Sequence, residues 1–231
     1  MVQVNNSKIT VRIKFKKLGK LQYISHLDMV RTMNKIIVRA KLPLYYTEGF
    51  NPKPKMTFAA QPSIGMESHC EFMNLRLTEK IDPQIVMDSI NSNVTDEMRV
   101  VNAYYPEADF SELKWFSYTI LIKTASADKA LAELCENILH CEKLEVLKKT
   151  KSGEAMVDVA PLIRSASAAL DGDLIRISCV LSGDSNCFLN PEYLIKLLRE
   201  RAGILSDPNL TNEYYSITRE KAHKSDMSEF F

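Results

Sequence analysis

Residues 8–16 alternate strictly, with Ile9, Val11, Ile13 and Phe15 on one face and Lys8, Thr10, Arg12, Lys14 and Lys16 on the other. A period of two with one apolar face predicts a half-buried strand. Beyond a turn at Gly19, Ser25 followed three places on by Asp28 has the form of a capping box and predicts a helix reaching about Ala40. Its core-facing positions are expected to be Leu27, Val30, Met33, Ile37 and Ala40. A second strand is expected over 42–47, ended by Gly49. Strands over 55–61 and 69–77 follow, separated by a turn from Pro62 to Gly65, then a helix over 82–93 and a strand over 98–105.

Strand, helix, strands, helix, strand is the order of a ferredoxin-like sheet with both helices on one side. The second half repeats the theme, with a strand over 116–123, a helix over 128–139 and strands over 144–149, 154–159, 163–170 and 174–181. A last helix is opened by Asn190-Pro191 and closed by Gly203. The expected fold class is therefore α+β, with two tandem ferredoxin-like-type domains built on antiparallel sheets. A basic N-terminal domain is expected over 1–106, a linker over 107–114 and a C-terminal domain over 115–231. The polar tail from about Ser206 is expected to be partly mobile.

Charge changes this picture from a plain α+β protein to a polarised one. Between Lys8 and Lys55 twelve Lys or Arg face only Asp28 and Glu48, a local charge of +10 in a chain whose net charge is +1. A field of that kind attracts phosphate-rich partners. With 45% hydrophobic and 26% charged residues the composition is that of an ordinary globular protein. No apolar run is long enough to span a membrane and no signal-peptide pattern opens the chain, so a cytoplasmic protein without membrane contact is expected. Five cysteines, an odd number without framework spacing, predict reduced thiols. No phosphate-binding loop, dinucleotide fingerprint or metal-ligand spacing is present, so neither cofactor nor metal is expected.

Three groups of residues carry candidate chemistry. Arg31, Lys35 and Arg39 follow one another at i,i+4 spacing, where like charges repel by a few tenths of a kcal/mol per pair until an anion relieves them. Arg12, Lys14 and Lys16 are expected on the sheet face that the helices leave open. Lys53 and Lys55 lie in a loop, 48–55, that Gly49, Pro52 and Pro54 constrain. Together these predict binding of RNA or another phosphate chain. Only Tyr45, Tyr46, Phe50 and Phe58 offer stacking partners, so backbone binding is expected rather than base reading. His26, just after Ser25, is the candidate general base of a metal-independent RNA-cleaving or RNA-modifying enzyme, with Tyr23 or Lys35 assisting. The alternative role for His26 is to pack and fix the helix start.

The run Tyr23-Ile24-Ser25-His26-Leu27-Asp28, with Arg31, Arg39-Ala40, Leu42-Pro43-Leu44 and Glu48-Gly49-Phe50-Asn51-Pro52-Lys53-Pro54-Lys55, resembles the radical SAM-linked bacterial domain of unknown function in its free-standing form. The resemblance is specific over about 8–77, and departs at Lys53, a position the family commonly fills with histidine. It implies an accessory protein whose partner is a radical SAM enzyme. The chain cannot be that enzyme of the usual kind, because Cys135 and Cys141 are six apart and no Cys-x3-Cys-x2-Cys run exists. The leading expectation is an accessory protein that binds RNA for its partner. The rivals are the His26 enzyme and a protein-interaction module that docks a radical SAM enzyme without nucleic acid.

Overall fold

The alternation at the N-terminus becomes β1 (Ile9–Lys17), whose Val11, Ile13 and Phe15 are completely buried. The computed structural model describes residues 9–125, 127–150, 153–207 and 212–231, so Lys8 lies outside the described residues. Two units are formed, one of residues 1–110 with Phe231 and one of residues 111–230. The protein is mixed α+β, with four α-helices and antiparallel strand pairing within each unit among the described residues. Among the described residues no helix is long and apolar enough to cross a membrane.

In the first unit β1 is followed by α1 (His26–Arg39), β2 (Met56–Phe58), β3 (Met66–Leu77), α2 (Pro83–Asn91) and β4 (Val100–Tyr104). The strand order is β4-β1-β3-β2. Ile13 lies opposite Met73 on one side and Ala103 on the other. Val11, Ile13, Phe15, Met73 and Leu75 pack against Met29, Met33, Ile36 and Ile37 of α1 and against Val86 and Ile90 of α2.

The buried stripe of α1 differs from the expected one. Met33 and Ile37 face the core, but the stripe begins at Met29 and includes Ile36, whereas Leu27 is exposed. Leu27 and Met29 are two positions apart, about 200° of helical turn, so the two cannot share a face. The expected strand over 42–47 is also corrected. Those residues make only the isolated bridges Leu44 to Leu77 and Tyr46 to Pro54, and the strand expected over 55–61 shrinks to β2. Pro52 and Pro54 have no N–H to donate, so a continuous ladder cannot form there.

The second unit runs β5 (Trp115–Lys123), α3 (Lys129–Leu139), β6 (Glu145–Thr150), β7 (Gly153–Asp158), β8 (Ile163–Asp171), β9 (Leu174–Ser182), α4 (Glu192–Ala202) and β10 (Tyr214–His223). Its strand order is β10-β5-β9-β8, and β6 pairs with β7 in a separate hairpin between α3 and β8. Numbered along each unit's own sheet strands, both orders read fourth, first, third, second. Asp82 and Asp128 cap α2 and α3 through their carboxylates, and Gly203 ends α4 in the left-handed region at φ 70°.

The C-terminal segment, expected to be a partly mobile tail, holds β10, a ten-residue strand with Ile217 opposite Ile120 of β5, and a buried Phe230, while residues 208–211 of it lie outside the described residues. Its inward positions include Arg219, whose guanidinium stacks 3.9 Å from the Phe116 ring. A charged residue at a core position hides the alternation that would otherwise announce a strand.

Gly183 lies against β5. A Cβ there would stand 2.6 Å from the Phe116 ring and 2.9 Å from the Leu113 side chain, and both neighbours are buried. Gly183→Ala is expected to lower stability by about 1–3 kcal/mol through overpacking. Urea denaturation checks this, and an unchanged midpoint would mean that the ring yields at no cost.

Candidate functional site

Ser25 caps the first turn of α1 as expected, while the Asp28 carboxylate accepts from the Ser25 hydroxyl, where a capping box would have it accept from the Ser25 backbone N–H. Ser25 Oγ accepts the N–H of Asp28 at 3.1 Å and donates to the Asp28 carboxylate at 2.7 Å. The same carboxylate pairs with Arg31 at 3.2 Å. The Ser25 hydroxyl chiefly, and Arg31 after it, hold the Asp28 carboxyl below the ordinary carboxylate range. Asp28 thus neutralises the first member of the basic row. Lys35 and Arg39 are exposed and have no ion pair among the described residues.

Opposite this row stands a hairpin over 45–55. Lys55 N–H donates to the Tyr45 carbonyl at 2.9 Å and Thr47 N–H to the Lys53 carbonyl at 2.8 Å. Lys53 N–H closes the tip by donating to Thr47 Oγ1 at 3.1 Å. Tyr45 N–H and the Lys55 carbonyl both bond the backbone of Arg76, which ties the hairpin base to β3. Gly49 sits at φ +122°, a conformation that side-chain-bearing residues rarely adopt.

The row and the hairpin face each other across a cleft of about 610 Å³. Arg31, Lys35 and Arg39 from α1 and Lys53 from the hairpin supply its cationic groups. Val38, Tyr46, Pro52 and Pro54 give it an apolar wall. Asn34, whose Nδ2 donates back to the Val30 carbonyl at 2.9 Å, completes the helix side. A ligand with negative charge and a flat or apolar body fits this chemistry, since charge is felt more strongly beside a surface that excludes water. The apolar wall is what sequence reading missed. Val38 was its signal, an apolar residue seven places after Arg31 and so on the charged side of the helix, with half its surface exposed.

The other expected binding residues are placed elsewhere. Arg12 was expected on an open sheet face and is instead fully buried. Its Nε donates to Asn74 Oδ1 at 2.9 Å, its Nη1 to the Phe231 carbonyl at 3.1 Å, and its guanidinium lies 4.4 Å from the Phe110 ring centre. This corrects the expectation of an uncovered basic face: a guanidinium can be buried when its donors are matched and its flat face stacks on an aromatic ring. Lys14 and Lys16 are half-buried, with Lys14 Nζ 5.9 Å from the Phe72 ring. Lys55 is exposed at the hairpin base, outside the cleft wall.

His26 is the first residue of α1 and is exposed, with its ring edge-on to Phe58 at 5.7 Å and 89°. Lys35 is nine residues further along the same helix, half a turn round in phase and about 13.5 Å along the axis. Lys35 therefore cannot assist His26. The cysteines form no disulfide, and burial pushes the thiols of Cys135 and Cys179 up to about 11 and about 12. No group of three His, Cys, Asp or Glu is gathered for a metal among the described residues.

The site is thus a cationic cleft with one apolar wall, formed by the first helix and a proline-stiffened hairpin of a β-α-β-β-α-β unit. The chain carrying it belongs to DUF2344, a family described as uncharacterized protein conserved in bacteria, whose model matches residues 10–191 and so includes every residue of the cleft. No curated protein matches the chain. Among solved structures it is similar in fold to a chain in the "Crystal Structure of a Cbf5-Nop10-Gar1 Complex", with a TM-score of 0.50 and 7% identity. That likeness covers 96% of this chain and 51% of the other, so the chain spans about half the length of its structural neighbour.

Arg12→Ala is expected to lower stability by about 2 kcal/mol or more, since it removes the stack on Phe110 and two charge-assisted hydrogen bonds. Lys55→Ala, at an exposed position, is expected to leave the denaturation midpoint unchanged. Equal midpoints for the two variants would refute the structural role of Arg12.

Proposed function

We propose that this protein binds RNA through the cleft between α1 and the 45–55 hairpin. The observation that carries the reading is the convergence of Arg31, Lys35, Arg39 and Lys53, separated by up to 22 positions in sequence, on one cleft with an apolar wall. Arg31, Lys35 and Arg39 follow one another at about 6 Å of rise along the helix, and a row of cations of that kind suits a chain of phosphates. RNA is held by its phosphates and sugars, so affinity is set by charge and is tolerant of sequence.

The strand orders of the two units support a tandem ferredoxin-like arrangement, which is the fold reading this proposal adopts. The radical SAM partner rests on the sequence resemblance alone. In this reading the protein presents RNA to that enzyme and performs no chemistry itself. His26 then serves the helix start, in keeping with its edge contact to Phe58 and its separation from Lys35.

Purified protein is expected to bind single-stranded RNA with an affinity that falls linearly on a log-log plot against salt. Reversing Arg31, Lys35 and Arg39 to Glu together should weaken binding roughly tenfold or more and flatten the slope by about 2, at about 0.7 for each phosphate no longer neutralised. Thermal stability should hold, because all three side chains are exposed. Absence of RNA binding even in low salt would overturn the proposal in favour of a protein-docking role.

His26→Ala is expected to cost about 1 kcal/mol by removing the ring packing on Phe58, read by urea denaturation, with RNA affinity unchanged. Metal-free cleavage of RNA by the wild type, abolished in this variant, would replace the accessory reading with an enzymatic one.

A further inference from the structure

Phe50 stands at the tip of the hairpin that walls the cleft, and its relative exposure of 112% is the highest among the exposed large hydrophobic residues described. An aromatic ring fully in water adds nothing to the fold, and this one stands two residues from Pro52 of the cleft wall, where its face is free to stack on a ligand held by the cations. The backbone presenting it is closed beneath the tip by the Thr47 to Lys53 and Lys53 to Thr47 hydrogen bonds, and turned by Gly49 at φ +122°. Pro52 and Pro54 remove further freedom on the descending arm. A ring held this way loses little entropy when it is engaged.

The ring's surroundings select its partner. Tyr46, Pro52 and Lys53 of the same hairpin line the cationic cleft, and Lys55 is exposed at the hairpin base. Whatever meets Phe50 therefore meets a field that favours negative charge. Single-stranded RNA offers that charge together with flat faces free to stack, whereas a duplex keeps its bases stacked on one another.

We propose that Phe50 is a stacking residue for an unpaired base of single-stranded RNA whose phosphates lie in the cleft. This rests on the RNA-binding reading above and adds to it the strandedness of the ligand. Stacking and phosphate neutralisation have different signatures, because only the second releases counterions. That difference makes the inference separable from the reading beneath it.

The test is fluorescence anisotropy of the full chain with a fluorescein-labelled oligouridylate, free and annealed to its complement. Phe50→Ala is expected to weaken binding to the free strand about tenfold with an unchanged salt slope, and to leave duplex binding as in the wild type. Phe50→Trp should restore affinity. If Phe50→Ala binds the single strand as well as the wild type does while the triple charge reversal still weakens it, the inference fails and the RNA reading stands. If the wild type binds no RNA in low salt, both fall. If Phe50→Ala instead loses binding to phosphatidylserine vesicles and keeps RNA affinity, the ring is a membrane contact and the inference is overturned.

Discussion

The roll of α1 about its own axis governs the cleft face of the first unit. Met29, Met33, Ile36 and Ile37 are held against Val11, Ile13 and Phe15, and these seven side chains admit one angular setting of the helix. At 100° per residue, that setting turns Arg31, Lys35, Val38 and Arg39 away from the sheet and toward the hairpin. Burial of each large apolar side chain stabilises by about 1.5–3 kcal/mol, far more than the few tenths that each like-charge pair along the row costs. The core therefore wins, and the cations stay in their row, with Asp28 offsetting Arg31 at one end of it. A cationic cleft poised in this way is a by-product of packing on the other side of the helix.

Much of the fold was legible because it follows from periodicity and caps. Ser25, Asp82 and Asp128 all cap helices as their types and positions suggest, and Gly203 ends the last one. The failures have a common cause, which is side chains whose chemistry belies their place. Arg12 and Arg219 are strand residues at inward or covered positions, and both are buried by stacking on aromatic rings. A pattern of polar and apolar letters reads such an arginine as solvent-facing. That reading opened a sheet face that is covered and dissolved a strand that exists. Leu27 erred the opposite way, as an apolar residue left in water at a helix start.

For the cleft, the sequence supplied the cations and withheld their meeting. The i,i+4 row and the lysine loop were visible as separate basic features, but it is the bonds that Tyr45 donates to the Arg76 carbonyl and Lys55 accepts from the Arg76 N–H, with the Leu44 to Leu77 bridge, that tie the hairpin in place. Those bonds join residues with little to distinguish them in sequence, since any amide can make them. The apolar wall was half-visible in Val38 and unannounced in Tyr46, Pro52 and Pro54, which composition alone would assign to a turn. The buried thiols explain themselves by packing, with no chemistry required of them.

The β6–β7 hairpin lies between the first helix and the second sheet strand of its unit, and the 45–55 hairpin occupies the same connection in the other. Each unit thus carries its extra chain at one topological position, while the sheet order around it is the same. In evolutionary terms this connection is a slot in which sequence can be exchanged while the surrounding framework stays constant. A change of sequence made there leaves the strands and the capped helices as they are.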